Sequence, residues 1–149
     1  YRLAHWARKQ VWKVWHPYLS GVCVLALDEA GRVLLVRHSY GYRCWVPPGG
    51  GMAGGEESVS TAVRELGEET GCILTGARQV AVVDQDLHGA RNRVHIVAGR
   101  ANGPAVPDLR EIVDARFFDL DALPDDMRSG LPESVREWVQ AYRDEAVSQ

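Results

Sequence analysis

The strongest constraint on how this chain folds is an abrupt change of character around residues 40–58. A stretch too rich in glycine for regular structure runs straight into a helical repeat. Residues 40–55 include Pro47, Pro48 and successive glycines at 49–51, and glycine gives such a loop backbone freedom that other residues lack. From Ser58 onward, Val59, Ala62, Val63 and Leu66 recur at i, i+3, i+4 and i+7, the spacing of one apolar helix face. The pattern predicts a helix from residue 58 to about residue 70, with Gly71 as its C-terminal stop. A loop delivered into a helix in this way is a common seat of function.

The flanking segments read as strands. Residues 21–27 form an apolar, β-rich run, residues 28–31 a turn, and residues 32–37 resume the pattern, which predicts a β-hairpin. Residues 80–83 and 93–100 are strand candidates, and the polar stretch 84–92 between them is expected to be a loop or a wide hairpin connection. Residues 115–118 predict a short last strand, and Val135, Trp138, Val139 and Tyr142 after Pro132 a closing helix. At the start, Leu3, Trp6, Ala7, Val11, Val14 and Trp15 fall on one helix face, so residues 1–17 are expected to form an amphipathic lead-in helix that packs on the domain or on a twin subunit. The expectation is one mixed α/β domain over residues 1–149.

Composition narrows the function. With 149 residues, 46% hydrophobic and 25% charged, the chain can build a single sizeable core, which excludes disorder and a disulfide-stapled miniprotein. The longest apolar run, residues 22–27, falls far short of the ~20 residues of a transmembrane helix, and no stable membrane association is expected. A net charge of −3 argues against bulk nucleic-acid binding. The acidity is concentrated after residue 50, where carboxylates stand beside arginines, a balance that suits a cation-dependent site for a phosphorylated small molecule. Cys23, Cys44 and Cys72 have no metal or redox spacing, and residues 1–10 hold no apolar secretory core, so a cytoplasmic setting is expected.

The chemistry is carried by the predicted helix. Glu65, Glu68 and Glu69 stand at i, i+3 and i+4, which groups three carboxylates on one side of it. Like charges so placed repel by a few tenths of a kcal/mol per pair, a conflict that a divalent cation would remove. With no histidine or cysteine beside them, these oxygens favour Mg²⁺ or Mn²⁺ over zinc. Arg64, four residues before Glu68, can hold that carboxylate when no ion is there. The glycine-rich loop lets backbone groups approach a metal or phosphate without Cβ interference. Together these features predict hydrolysis of a phosphoanhydride by water, with no organic cofactor.

Gly50, Glu56, Arg64, Glu65, Leu66, Glu68, Glu69 and Gly71 occupy the places of the Nudix box, which this sequence closely resembles. Cys72, where the box has an aliphatic residue, is the one departure. A looser likeness covers residues 31–38, 45–51 and 117–124. The resemblance implies the Nudix fold, an α/β/α sandwich with a mixed β-sheet, and a Mg²⁺- or Mn²⁺-dependent pyrophosphohydrolase acting on a nucleoside triphosphate or a nucleoside diphosphate linked to another moiety. It implies metal held by Glu65, Glu68, Glu69 and the Gly50 carbonyl, with Arg64 and Glu56 orienting the helix carboxylates. The general base is one of Glu65, Glu69 and Glu111, the last because many members place an acid upstream of the final strand. Two other readings are a non-catalytic nucleotide-sensing module and a diphosphoinositol polyphosphate phosphohydrolase, whose glycine signature residues 45–52 resemble. Arg37, Arg43 and Tyr42 are candidate substrate contacts, Arg91 and Arg93 further candidates for gripping a diphosphate, and Trp45 reads as core. His38, His88 and His95 form no ligand spacing, and a homodimer is left open.

Overall fold

The computed structural model describes residues 19–41, 43–87 and 90–148; the lead-in helix expected over residues 1–17, together with Tyr42 and His88, lies outside the described residues. The strands are β1 (Leu19–Leu27), β2 (Val33–His38), β3 (Gly49–Gly51), β4 (Ile73–Leu87), β5 (Ala90–Asn102) and β6 (Ile112–Phe118). The helices are α1 (Ser58–Thr70) and α2 (Leu131–Ser148). The strands form one sheet in the order β4-β5-β1-β2-β6, with β3 paired to β1 off that path. β1 runs parallel to β5 and the other pairs are antiparallel, so the sheet is mixed as expected.

Strand alternation sorts the core into two layers. Val22, Val24 and Ala26 of β1 meet Leu34, Leu74, Val97 and the helical Ala62 and Leu66 on one face. Leu25 and Leu27 meet Val33, Leu35, Ile96, Ala98 and the helical Val135 and Val139 on the other. α1 therefore covers one face and α2 the other, giving the α/β/α sandwich. Because β1 is buried on both faces, it requires an unbroken apolar run, and residues 21–27 supply one.

The hairpin is present but prised open. Asp28 closes its turn by accepting the N–H groups of Ala30 and Arg32 at 3.0 and 2.8 Å, with Gly31 at φ 80°. Among the described residues the register of β1 and β2 is the single pair Leu27 opposite Val33. Beyond it the strands part and residues 45–52 fill the gap. Val36 and Val46 exchange both backbone hydrogen bonds, Val24 N–H donates to Pro48 O at 2.8 Å, and Met52 N–H to Ser20 O at 2.8 Å. The glycine stretch, expected to lack regular structure, thus contributes β3. Its glycines are needed for close approach: a Cβ on Gly49 would run into the Val22 carbonyl oxygen.

Three further expectations are revised. Residues 84–92 are largely strand, since Asp84 faces Arg93 and Gln85 faces Asn92 in the β4–β5 ladder. Asp84 and Arg93 form an exposed ion pair at 3.2 Å, so the polar composition belongs to a hairpin arm standing in solvent, where cross-strand charge pairs favour the ladder. Val63, read from the sequence as part of the apolar face of α1, is 41% exposed; Glu65 and Glu69 take the buried side instead. The last strand also begins earlier than expected, at Ile112.

The wedge gives a paired prediction. Gly49→Ala should lose roughly 1–3 kcal/mol or more in urea unfolding, because backbone must move to admit the methyl group. Gly54→Ala, which meets nothing within 4 Å and has no positive φ, should unfold at the wild-type midpoint or slightly above it.

Candidate functional site

The site begins where the wedge turns into α1. Glu57 caps the helix, accepting the Val59 N–H at 3.2 Å and the Ser60 hydroxyl at 3.0 Å. Gly71 ends it in the left-handed conformation with its N–H on Gly67 O at 2.9 Å. Glu56 stitches the loop to the helix. It accepts the Ala53 N–H at 2.7 Å and the Thr61 hydroxyl at 3.2 Å, and it takes both oxygens' worth of Arg64 Nη2 at 3.1 Å. Arg64 also reaches Glu65 Oε1 at 3.2 Å and Glu68 Oε2 at 3.5 Å.

The electrostatics follow from this geometry. Burial pushes the Glu56 carboxyl upward, but the Ala53 N–H and Arg64 outweigh it and hold the carboxyl below its ordinary value. Burial disfavours the charge on Arg64, yet Glu65, Glu56 and Glu68 around it raise its pKa further, so the guanidinium stays charged. Among the described residues no three acidic, histidine or cysteine side chains already converge as a metal cage. Glu56, Glu65 and Glu68 converge on Arg64 instead, which places a positive charge where three carboxylates meet.

Glu65 is fully buried and Glu69 is 2% exposed, whereas Glu68 sits on the flank of α1 and is partly exposed. The Glu65 carboxyl lies against β3: a Cβ on Gly50 would stand 2.5–2.7 Å from its carbon and oxygens. Only glycine admits this contact. Glu111, read from the sequence as a candidate, is 7% exposed, and the loop that carries it docks on the last turn of α1. Val106 N–H donates to Thr70 O at 2.8 Å and Asp108 N–H to Glu69 O at 3.1 Å. From the other side, Ser39 N–H at the end of β2 donates to Glu111 O at 2.8 Å. Helix end, β2 and the start of β6 therefore meet at this acid. Asp108 was not singled out by the sequence; the pair Pro107-Asp108, a turn-forming combination, is the signal that marks it.

The remaining candidates are dispersed. Arg37 donates to Arg43 O at 3.2 Å and lies 5.3 Å from the Trp45 ring centre. Trp45 belongs to the core layer under α2, so Arg37 faces away from the glutamates, because alternate residues of β2 take opposite faces. Trp45 is core, as its sequence suggests, with Phe118 edge-on at 5.0 Å. Arg43 is exposed, Arg93 pairs with Asp84, and Tyr42 lies outside the described residues. His95 Nδ1 stands 2.9 Å from Gln79 Oε1, which also accepts the Ser58 hydroxyl at 2.8 Å. Burial pushes the Cys23 thiol up to about 12, leaving it unreactive.

A single mixed sheet between two helices thus brings a glycine turn and a carboxylate-rich helix together. A family model for the NUDIX domain matches residues 17–140, and the chain belongs to the NUDIX family. Over 108 residues it is 29% identical to the putative 8-oxo-dGTP diphosphatase of Bacillus subtilis strain 168, a match covering 72% of this chain and 70% of that protein. Over 73 residues it is 37% identical to the ADP-ribose pyrophosphatase of Mycobacterium tuberculosis H37Rv, covering 46% of this chain and 34% of that protein, so the match spans about a third of that relative. The fold is shared with the MutT NUDIX hydrolase of Burkholderia pseudomallei, at 22% identity and TM-score 0.69 over 83% of this chain and 97% of that one. It is shared too with a UDP-X diphosphatase, at 23% identity and TM-score 0.67 over 93% and 72%.

The depressed Glu56 carboxyl gives a pH prediction. A lowered folded-state pKa adds stability that is fully present above the ordinary value of 4.5 and is lost as pH falls through the folded value. The difference in urea midpoint between wild type and Glu56→Gln should therefore be constant near neutrality and shrink on acidification below that value.

Proposed function

We propose that this Nudix hydrolase cleaves a phosphoanhydride bond of a nucleoside triphosphate, or of a nucleoside diphosphate joined to another group, with Mg²⁺ or Mn²⁺. Family membership makes it a hydrolase of phosphoanhydride bonds. The observation that carries the finer reading is the Glu65 carboxyl packed on the Gly50 backbone, with the second buried carboxylate, Glu69, one helical turn away. The donor set fits a hard cation: carboxylates of Glu65, Glu68 and Glu69 and the Gly50 carbonyl are all oxygen, with no Cβ in the way. When bound, such an ion supplies neutralising charge at phosphate oxygens and acidifies nearby water.

The chain's own groups do the rest. Arg64, fixed by Glu56, holds Glu65 and Glu68 in place and keeps like charges on α1 from repelling apart. A carboxylate oxygen of Glu65, Glu69 or Glu111 takes a proton from the attacking water. The water oxygen then bonds to phosphorus while the bridging P–O bond breaks, and the leaving phosphate keeps the electron pair. The named activities of the two relatives support testing both kinds of substrate, 8-oxo-dGTP on one side and ADP-ribose on the other. Free nucleotides of this kind suit an enzyme working in the cytoplasm. Among the described residues no helix is long and apolar enough to cross a membrane.

The test is a nucleotide panel assayed with Mg²⁺ and with Mn²⁺. At least one member should be hydrolysed, a chelator should abolish turnover, and Glu69→Gln should lower kcat by about 10²–10⁴-fold with its melting temperature retained. Turnover indifferent to both treatments would overturn the proposal. Gly50→Ala, which forces the Glu65 carboxyl off the loop, should lower kcat by on the order of 10²-fold, as ångström misplacements do.

A further inference from the structure

Asp108 is bonded to the backbone of both Glu69 and Glu111. Its N–H donates to Glu69 O at 3.1 Å, and its Oδ1 accepts three N–H groups, those of Arg110, Glu111 and Ile112, at 2.9, 3.1 and 2.9 Å. We propose that Asp108 is a positioning residue of the hydrolase, a clamp that sets the Glu111 carboxylate against the last turn of the glutamate helix. The inference rests on the reading of Glu111 as part of the site.

Three further observations bear on it. Leu109 adopts φ 64°, a left-handed conformation that strains a non-glycine residue. Its side chain is 73% exposed, so packing gives no return for the strain; what the turn achieves is to aim consecutive amides at one carboxylate oxygen. A charged acceptor for three N–H groups is a strong device for holding that shape. The Ser39 hydroxyl and N–H secure the other side of the turn, donating to Arg110 O at 2.7 Å and Glu111 O at 2.8 Å. The Glu111 peptide is thus fixed at both its N–H and its carbonyl. A carboxylate meant only for solvent needs no such fixing, and Glu111 is buried.

The experiment compares Asp108→Ala with Asp108→Asn, which keeps the Oδ1 acceptor, using Mn²⁺ affinity by calorimetry, kcat and KM, and amide exchange. Asp108→Ala should weaken Mn²⁺ binding or kcat by about 10- to 100-fold, the usual scale for a group that orients a ligand, while KM changes little. Protection of the amides of residues 110–112 should fall with it. Asp108→Asn should recover most of both. In a Glu111→Gln background, Asp108→Ala should add almost nothing to the loss in kcat, because the two act as one unit. Additive losses, or a lowered melting temperature with Mn²⁺ affinity, kcat and amide protection unchanged, would overturn the inference. A wild-type protein that hydrolyses no nucleotide would sink the proposed function, and the Mn²⁺ and exchange measurements would still decide the role of Asp108.

Discussion

Two carboxylates buried on the sheet-facing side of a helix are the constraint around which this structure is arranged. Removing a charged carboxylate from water carries a large desolvation penalty unless opposite charge or hydrogen bonds stand close by. Beside Glu65 the chain supplies a permanently charged guanidinium at Arg64 and a glycine backbone with no Cβ at residue 50, while a loop docks on the backbone carbonyls of Glu69 and Thr70. Arg64 is held in turn by Glu56, which also accepts the Ala53 N–H of the loop. The supporting groups form a connected set from β3 through α1 to the start of β6, and each member is positioned by the sheet beneath it.

The sheet does this because its central strand is apolar on both faces. β1 anchors α1 through Val22, Val24 and Ala26 and α2 through Leu25 and Leu27, leaving the glutamate side of α1 to face β3. Burial of these valines and leucines is worth roughly 1.5–3 kcal/mol each, ample to hold a helix whose inward face also carries carboxylates. Core contacts and buried carboxylates thus share one side of α1: Ala62 and Leu66 bind it to the core, and Glu65 and Glu69, three residues on from each, are carried in with them.

Much of this is legible in the sequence, and the misreadings have physical causes. The 3.6-residue period marks α1 and the double glycine and proline run marks its entry, because those signals are local. The helix face was misjudged at Val63 because periodicity counts apolar residues and does not foresee that carboxylates will displace a valine from the interior. Residues 84–92 lack an apolar alternation, so their ladder hydrogen bonding leaves no trace in composition. The strand character of residues 49–51 is hidden for the opposite reason: glycine disfavours strands in isolation, and here close contacts of Gly49 with Val22 and of Gly50 with Glu65 demand it. Asp108 and Glu57 act through backbone N–H groups whose positions depend on the fold, so their roles become visible only in three dimensions.

The wedge between β1 and β2 also bears on how this chain can vary. From Val46 to Met52 each turn of the backbone is counted against a neighbour, at Val36, Val24 and Ser20, so a single inserted or deleted residue would shift every later side chain and swing the glutamate helix out of line. The wedge is thus a spacer of fixed length, ruled off between sheet and helix by its own neighbours.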